Sequence, residues 1–522
     1  MKLLVDNVVL DPGDTIERIR DILIKRFGVD CPYSIERKSL DARKKKEIVY
    51  RYRVVIEVPD DRAAALLAHK DISLYTRKEF PAPARVRHPV TVHIAGTGPA
   101  GLFCGLRLIR AGARVEIFER GKPIEERMKD IEVLELQGIL DERSNVLYGE
   151  GGAGTYSDGK LTTRIRKPEI DWLFGTLVDC GAPSTILYEA KPHLGTDRLR
   201  GIVKRIREEI LSSGSQINFN ESIDDLIISD GSLAGFVTSK GREIVSSRLV
   251  LAIGHSARDT YAMLERQGVR LEKKGFAMGI RIEHPAELID DIQYGKSRYR
   301  DRLPVADYML TYANRATGRG VYSFCMCPGG RVINSSSEQG RLCTNGMSFS
   351  KRDHPFSNAA IVVTVTPEDF SDMVLGGILF QRDIEQAAYD AGGGMFTAPA
   401  QRVTSFLQGK ADTELPPASY RPGVFPAGLD RLFPAWLVDE LKEGIRQFDR
   451  KMKGFASEQA LLIGVETRTS SPVRITRGPD GQSVGVRGLY PVGEGAGYAG
   501  GIVSSAVDGI RCADCIIEES ND

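Results

Sequence analysis

A glycine-rich turn between a predicted strand and a predicted helix is the part of this sequence whose residue types point most directly to chemistry. The strand covers residues 90–95 and the helix covers residues 102–110. In such a turn the first glycine permits the tight bend, the second lets the backbone approach a pyrophosphate, and the third lets helix and strand pack closely. The positive end of the helix would face the phosphates. The sequence therefore predicts dinucleotide binding by Gly96, Gly98, Pro99, Ala100 and Gly101.

An acid follows the next predicted strand, which covers residues 115–118. Glu119 stands about 20 residues after the first glycine, the spacing at which an acid accepts hydrogen bonds from the adenosine ribose hydroxyls in dinucleotide-binding proteins. Two arginines downstream of this acid, Arg120 and Arg127, are further candidate cofactor contacts. Residues 149–154 and 495–500 also match the glycine spacing, but neither lies inside a complete strand-turn-helix-strand unit.

Residues 149–161 form a second glycine cluster, which also carries hydroxyl groups and charges. A loop of this composition lets the main chain pass close to a flat ring and donate N–H groups to it. We expect Lys160 to stabilise an anionic reduced ring or to bind an acidic substrate. The alternative is a glycine-rich connection whose charges are solvated. The residues predicted to contact the cofactor are Gly152, Ala153, Gly154 and Thr155.

The C-terminal segment indicates which dinucleotide is bound. Residues 488–497 read as a strand that ends in glycine and an acid, and a helix follows over residues 502–517. This pattern resembles the late motif of the glutathione-reductase superfamily of flavoproteins, although Asp is commoner there than the Glu found here. The resemblance implies FAD, with its ribityl chain at the acid and its pyrimidine edge at the helix N-terminus. Residues 249–256 resemble the internal strand-glycine motif of the same superfamily. The residues implied are Gly254, Gly493, Glu494, Gly500, Gly501 and Ile502.

More specifically, the chain resembles the uncharacterised FAD-dependent dehydrogenases known as NAD(FAD)-utilising dehydrogenases. The segments that carry the resemblance are residues 149–161, 323–330, 345–348 and 465–474. The resemblance implies an FAD-dependent oxidoreductase that transfers a hydride between the flavin and a small-molecule substrate. NADH or NADPH is a candidate electron donor, and the substrate is not named by the resemblance.

Candidate catalytic residues are fewer and rest on weaker patterns. Arg468 and Arg474 lie just before the C-terminal motif, where they could clamp a carboxylate or phosphate. Together with Lys160 they are the predicted catalytic residues, and the alternative for both arginines is a salt-bridged strand. His193 and His255 are each either a general acid or a structural histidine.

Two cysteine pairs have the spacing of a possible redox or metal site. Cys325 and Cys327 could exchange electrons beside a flavin. However, a disulfide between residues two apart is strained, and no neighbour in the sequence would lower a thiol pKa. We therefore favour a role in pocket lining or core packing. Cys512 and Cys515 lack the second pair that zinc needs, so no metal site is predicted.

The elements that must position these residues predict an α/β chain of three domains. A Rossmann-type FAD-binding domain is interrupted by an α+β substrate domain and preceded by a ferredoxin-like α+β domain. A proline-rich stretch over residues 81–89 marks the first boundary. The predicted ranges are 1–86 for the N-terminal domain, 90–275 and 455–522 for the FAD domain, and 276–454 for the substrate domain.

Composition limits the classes of partner and compartment. The 522 residues carry 71 Lys+Arg and 70 Asp+Glu, which excludes a globally basic nucleic-acid binder. Residues 37–53 hold eight Lys/Arg and two acids. This basic hairpin could contact RNA or an acidic partner, as in a flavin-dependent tRNA-modifying protein, or it is a solvated loop. A third alternative is an FAD-binding redox sensor without turnover. An acid already at position 6 argues against a signal peptide, and the cysteines are scattered. No long apolar run is present. These features predict a cytoplasmic protein with no membrane contact.

Overall fold

The structure is a computed structural model that describes residues 1–77, 79–163 and 167–522. Its first unit is a four-stranded antiparallel sheet with two helices. The elements alternate as strand, helix, strand, strand, helix, strand, the order expected from the sequence. They are β1 (Lys2–Leu10), α1 (Arg18–Phe27), β2 (Tyr33–Asp41), β3 (Val49–Glu57), α2 (Asp60–Leu67) and β4 (Ile72–Leu74). The sheet order is β2-β3-β1-β4.

The second segment supplies most of a parallel sheet and the helices that cover it. Its elements are β5 (Thr91–Ala95), α3 (Pro99–Arg110), β6 (Arg114–Phe118), α4 (Ile124–Gln137), α5 (Pro168–Asp179), α6 (Gly195–Ser212), β7 (Gln216–Asn218), β8 (Ile223–Ser229), β9 (Ser232–Thr238), β10 (Glu243–Val245), β11 (Leu249–Leu251), α7 (Arg258–Arg266) and β12 (Leu271–Lys273). Strands β8 to β10 form a separate antiparallel sheet.

The central segment is built on a seven-stranded mixed sheet. Its elements are β13 (Phe276–Pro285), α8 (Ala286–Tyr294), β14 (Thr311–Ala313), β15 (Gly320–Cys327), β16 (Arg331–Asn334), β17 (Thr344–Met347), β18 (Phe356–Val365), α9 (Gly376–Ala391), β19 (Ala398–Arg402), α10 (Val403–Gln408), β20 (Val424–Pro426), α11 (Ala435–Lys451) and β21 (Leu461–Glu466). The sheet order is β14-β15-β18-β13-β21-β19-β20. This sheet extends past the predicted boundary at residue 454, because β21 pairs with both β13 and β19.

The last segment returns to the parallel sheet of the second segment. Its elements are β22 (Val473–Ile475), β23 (Leu489–Pro491) and α12 (Ile502–Asn521). Strand β23 pairs in parallel with β11, which gives the sheet order β23-β11-β5-β6-β7. Short 3₁₀ helices cover Ala153–Tyr156, Ser184–Leu187, Arg300–Arg302, Pro367–Asp369 and Leu429–Arg431. The mixed α/β class predicted from the sequence is confirmed.

Helices α3 and α12 pack against each other over the parallel sheet with very little space between them. A Cβ added at Gly509 of α12 would lie 2.1 Å from the carbonyl oxygen of Ala100 in α3. Apolar side chains of both helices, Leu106, Val507 and Ile510 among them, are buried in one core with the strands below. The glycine therefore sets how closely the two helices approach.

The N-terminal unit docks on the rest of the chain through its β2 edge. The backbone N–H of Lys38 donates to Tyr188 O at 2.7 Å, and the N–H of Ala190 donates to Lys38 O at 2.8 Å. A second contact runs from the Tyr299 hydroxyl to Asp11 Oδ2 at 3.1 Å. Among the described residues, no helix is both long and apolar enough to cross a lipid bilayer.

Replacing Gly509 with alanine should lower the apparent melting temperature of the protein. The new methyl group meets backbone on the facing helix, and overpacking of this kind costs about 1–3 kcal/mol. Gly201→Ala in α6 is the matched control, because no described atom lies within 4 Å of a Cβ at that position. Alanine there favours the helix by about 0.5–1 kcal/mol. Thermal unfolding followed by circular dichroism measures both, and a Gly509→Ala chain that melts at or above the wild type would contradict the close approach.

Candidate functional site

A cavity of about 650 Å³ lies between the parallel sheet and the central segment. This volume falls in the usual range of cofactor pockets, about 300–1,000 Å³. Its wall contains both the turn after β5 and the turn before α12, which are far apart in the chain. Sixteen of the residues predicted from the sequence line it: Gly96, Gly98, Pro99, Ala100, Glu119, Arg120, Gly152, Ala153, Gly154, Lys160, Gly254, Arg468, Glu494, Gly500, Gly501 and Ile502.

Two helix N-termini face this cavity. Helix α3 begins at Pro99 directly after Gly98, and α12 begins at Ile502 after Gly501, whose φ of 129° favours glycine. The first turn of each helix lines the cavity. Unpaired backbone N–H groups at a helix N-terminus carry partial positive charge. The cavity can therefore hold an anionic group at two places on its wall.

The glycines around the cavity divide into two kinds. A Cβ at Gly96 would lie 2.4 Å from Ala252 O, and one at Gly101 would lie 2.0 Å from Gly96 O. These two positions therefore allow the chain to turn and pack. Other glycines leave room that a side chain would fill, because no described atom lies within 4 Å of their added Cβ. On the cavity wall these are Gly98, Gly254, Gly500 and Gly501.

The Glu119 carboxylate, although on the cavity wall, accepts four hydrogen bonds from the protein itself. Thr97 donates its N–H at 2.9 Å and its hydroxyl at 2.6 Å to Oε2. The N–H groups of Gly121 and Gly149 each donate to Oε1 at 3.0 Å. Glu119 thus ties together three turns that border the cavity. Its predicted contact with ribose hydroxyls stays a prediction.

Five predicted site residues do not line the cavity: Gly101, Arg127, Thr155, Gly493 and Arg474. The Arg127 side chain is fully buried and donates to backbone carbonyls of residues 145–150, so it braces the glycine-rich loop from behind. Arg474 lies on β22, where its guanidinium stacks 5.2 Å from the centre of the Tyr498 ring. The predicted role of Arg474 as a clamp for a carboxylate or phosphate stays a prediction.

Lys160 contributes an ammonium group to the cavity wall. Its Nζ lies 3.0 Å from Asp158 Oδ2 and also donates to the backbone oxygen of Met326. Burial opposes the charge, but Asp158 raises the pKa of Lys160 above its usual value. Burial also opposes ionisation of Asp158, yet Lys160 and Arg352 lower its pKa. The pair is therefore charged on both sides.

Arg468 reaches the cavity with its guanidinium already bound to an acid. Its Nε and Nη2 lie 2.8 and 2.6 Å from the two carboxylate oxygens of Glu385. Arg258 binds the same carboxylate at 2.8 and 2.9 Å. Burial raises the pKa of Glu385, but the two arginines outweigh it and hold that pKa well below its usual range. Arg468 is therefore one of two arginines in a buried charge cluster that connects α7 with the central segment.

His255 lies on the same side of the cavity as this cluster. Burial lowers the pKa of His255 to about 4, and the charges of Arg468 and Arg258 act in the same direction. The imidazole is therefore neutral at physiological pH and suited to hydrogen bonding rather than to carrying charge. His193 donates from Nε2 to Ser350 O at 3.2 Å, and burial lowers its pKa.

Glu494 differs from the other carboxylates on the cavity wall. No hydrogen bond from a protein donor reaches its carboxylate within the described ranges, and burial raises its pKa to about 8, with Lys274 opposing the effect. A buried carboxylate without donors is costly unless a ligand supplies them. This side chain is the best fit in the cavity for a ligand that carries hydroxyl groups.

Several lining residues were not predicted from the sequence: Tyr148, Asn345, Glu466 and Thr469. Asn345 and Glu466 stand in segments that carry the family resemblance, which was the available signal. The sequence also gave no charged neighbour for Cys325, but the fold supplies two. Lys160 lines the same cavity, and Arg281 Nη1 donates to Cys325 O at 3.1 Å.

The two acids of the basic hairpin between β2 and β3 pair with three of its eight basic residues. Arg43 and Arg51 bind Asp41 at 2.6 and 2.8 Å, and Lys44 binds Glu47 at 3.1 Å. These pairings reduce the charge available to an external polyanion. Contact with RNA or an acidic partner stays a prediction.

Comparison with known proteins gives the family. Residues 275–469 match the family model described as FAD-dependent protein, C-terminal domain-like. An uncharacterized protein of Clostridium beijerinckii is 44% identical over 529 residues, covering 99% of each chain. This level of identity over the whole chain establishes common family membership.

Solved flavoprotein structures show weaker similarity. A triple mutant of the flavin-dependent brominase Bmp2 is 13% identical over 83% of this chain and 81% of that chain, with a TM-score of 0.37. CtdE in complex with FAD is 12% identical over 83% of each chain, with a TM-score of 0.30. Scores of this size do not identify a shared function. The chain therefore belongs to one family with the Clostridium beijerinckii protein, and its central segment matches the model of FAD-dependent proteins.

Proposed function

We propose that this protein is an FAD-dependent oxidoreductase, a dehydrogenase or reductase that transfers a hydride between a small-molecule substrate and the flavin. The observation that carries the proposal is the cavity in which the N-termini of α3 and α12 face the donor-free carboxylate of Glu494. Bound FAD supplies the two-electron chemistry, and the protein supplies binding, orientation and electrostatics.

The residues that line the cavity fit the successive parts of FAD. The turn at Gly98 leaves open space beside the N-terminus of α3, which suits a pyrophosphate. Glu494 would accept hydrogen bonds from the ribityl hydroxyls. The N-terminus of α12 offers partial positive charge to the ring that becomes anionic on reduction. Each assignment uses a group that lines the cavity and is free to meet a ligand.

The opposite wall of the cavity comes from the central segment and supports a substrate site. Phe324, Cys325, Asn345 and Glu466 line it, and Lys160 lies nearby on the glycine-rich loop. Because these groups belong to a different sheet from the cofactor turns, a substrate would be held between the two sheets. Lys160 would attract and orient an acidic group, and the closed walls would exclude water.

Anaerobic reduction tests the proposed activity. The purified protein, saturated with FAD, is mixed with NADH or NADPH in a stopped-flow spectrometer, and flavin absorbance is followed. Bleaching by a donor, then recovery with an acceptor, supports an oxidoreductase. A bound flavin that no donor reduces and that turns over no acceptor would instead support a redox sensor.

Gly98→Val should abolish tight FAD binding while the protein stays folded. The extended backbone at this residue, with φ −68° and ψ 177°, accommodates a β-branched side chain, which then occupies the space beside α3. We expect at least a tenfold loss of affinity, about 1.4 kcal/mol, by fluorescence titration with FAD. Gly175→Val in α5 is the control, since it also has open space but lies away from the cavity. Unchanged FAD affinity in Gly98→Val would contradict the assignment.

FAD affinity should rise with pH around the pKa of Glu494. Hydroxyl donors favour the ionised carboxylate of Glu494. In the free protein burial raises its pKa to about 8, so the neutral acid predominates below that pH. Binding of FAD therefore releases a proton. Affinity should therefore increase from pH 6 to pH 9. Glu494→Gln should remove this increase. It should also weaken FAD binding at pH 9 by about 10- to 100-fold, because a hydrogen bond to a charged group contributes about 1.5–3 kcal/mol. Equal pH profiles for both proteins would exclude Glu494 from the cofactor site.

A further inference from the structure

Glu466 ends β21 on the side of the cavity that belongs to the central segment. Its side chain is only 3% exposed. One carboxylate oxygen, Oε2, accepts a hydrogen bond from Arg281 Nε at 2.8 Å. Within the described ranges no hydrogen bond reaches the other oxygen, Oε1. A buried carboxylate oxygen at a cavity wall without a protein donor points to a ligand that supplies one.

Asn345 on β17 brings a free donor to the same wall of the cavity. Its amide oxygen accepts from Arg281 Nη2 at 3.3 Å and from the backbone N–H of Gly346 at 2.7 Å. Because both partners are donors, the oxygen end of the amide is fixed and the NH₂ end remains. No acceptor among the described residues bonds to Nδ2. The amide therefore offers an N–H group to a ligand.

Arg281 holds these two side chains next to each other. Nε and Nη2 lie on the same edge of the planar guanidinium, so Glu466 and Asn345 are neighbours on that edge. The remaining N–H groups donate to Cys325 O and Asn358 Oδ1. Arg281 is fully buried and uses all five of its donors within the protein. It therefore positions Glu466 and Asn345 without binding a ligand itself.

A hydroxyl group matches this pair of side chains better than an amine does. The hydroxyl can donate to Glu466 Oε1 while its oxygen accepts from Asn345 Nδ2, whereas a protonated amine has no lone pair for Asn345. The carbonyl formed from the hydroxyl keeps the bond to Asn345. Burial raises the pKa of Glu466 to about 8, with Arg281 opposing the effect. Both protonation states of Glu466 are therefore accessible near neutral pH.

We propose that Glu466 exchanges a proton with a substrate whose reacting carbon carries a hydroxyl group, and that Asn345 orients the oxygen of that group. The substrate class rests on the proposed oxidoreductase function. In the oxidation, the O–H bond breaks and its proton passes to Glu466 Oε1. The C–H bond breaks, its hydride passes to the flavin, and the C–O bond becomes C=O. The substrate loses two electrons and the flavin gains them, and in the reduction of a ketone Glu466 returns the proton.

The test uses the full-length protein saturated with FAD and two probes, cyclohexanol and cyclohexanone. Their affinities are measured by ligand-observed NMR titration at pH 9 and pH 6. At pH 9 the ionised Glu466 accepts from the alcohol only, so cyclohexanol should bind about tenfold or more tightly than cyclohexanone. At pH 6 the neutral acid donates to either oxygen, so the preference should disappear.

Proton release gives a second measurement that needs no variant. A hydrogen bond from the alcohol favours the ionised carboxylate, so binding of cyclohexanol near pH 8 should release protons, as followed with an indicator dye. Binding of cyclohexanone should not release protons. Glu466→Gln separates this effect from titration of the other groups near Glu466 or on the cavity wall. These groups are Arg281, Cys325, the Asp158–Lys160 pair, the Glu385–Arg468 pair and Glu494.

Glu466→Gln should remove both the preference at pH 9 and the proton release. Its amide oxygen can keep the bond from Arg281 Nε, which leaves the NH₂ end facing the cavity. Asn345→Ala should weaken binding of both probes to a similar degree. Glu440→Gln is the matched control, because Glu440 is a buried acid on α11 that is bound by Asn314 and does not line the cavity. It should behave like the wild type.

Equal affinities of the two probes at pH 9, binding of neither probe, or a preference that survives in Glu466→Gln would overturn the proposal. A tenfold loss of FAD affinity in Glu466→Gln or Asn345→Ala would assign these side chains to the cofactor and would also overturn it. FAD binding and reduction are scored separately by flavin absorbance. A protein that binds and reduces FAD but does not distinguish the probes refutes this inference alone. A protein that binds no FAD refutes the proposed function before either probe is added.

Discussion

The close contact between α3 and α12 is the constraint on which the cavity depends. Each helix follows a strand of the parallel sheet. Because Gly509 has no Cβ, the backbones of the two helices can approach closely. Because the helices are held together, their N-termini face one cavity instead of two separate surfaces. A bulkier residue at this contact would separate the two turns and divide the site.

Local backbone patterns made much of this arrangement predictable from sequence. The turn after β5 and the turn before α12 each carry glycines in a strand-to-helix context, and a parallel sheet brings such turns to one edge. The order of strands and helices in the first unit could be predicted from the sequence for the same reason. Such features depend on residues close together in the chain, where spacing determines geometry.

Side-chain partners were harder to predict, because they come from distant segments. Glu119 accepts hydrogen bonds from Thr97, Gly121 and Gly149. Arg468 forms an ion pair with Glu385 on α9. Cys325 has no charged neighbour in sequence, yet the fold brings Lys160 and Arg281 to it. Spacing alone could suggest that these residues carry chemistry, but only the tertiary contacts decide which are free and which are already paired.

The position of β23 at the edge of the parallel sheet has a consequence for biosynthesis. This strand and α12 are synthesised long after β5 and α3. The part of the cavity wall that follows β23, including Glu494 and the first turn of α12, is missing until β23 joins β11. During translation the nascent chain must therefore hold the turn after β5 with one side open, and the cavity closes only once β23 and α12 have been made.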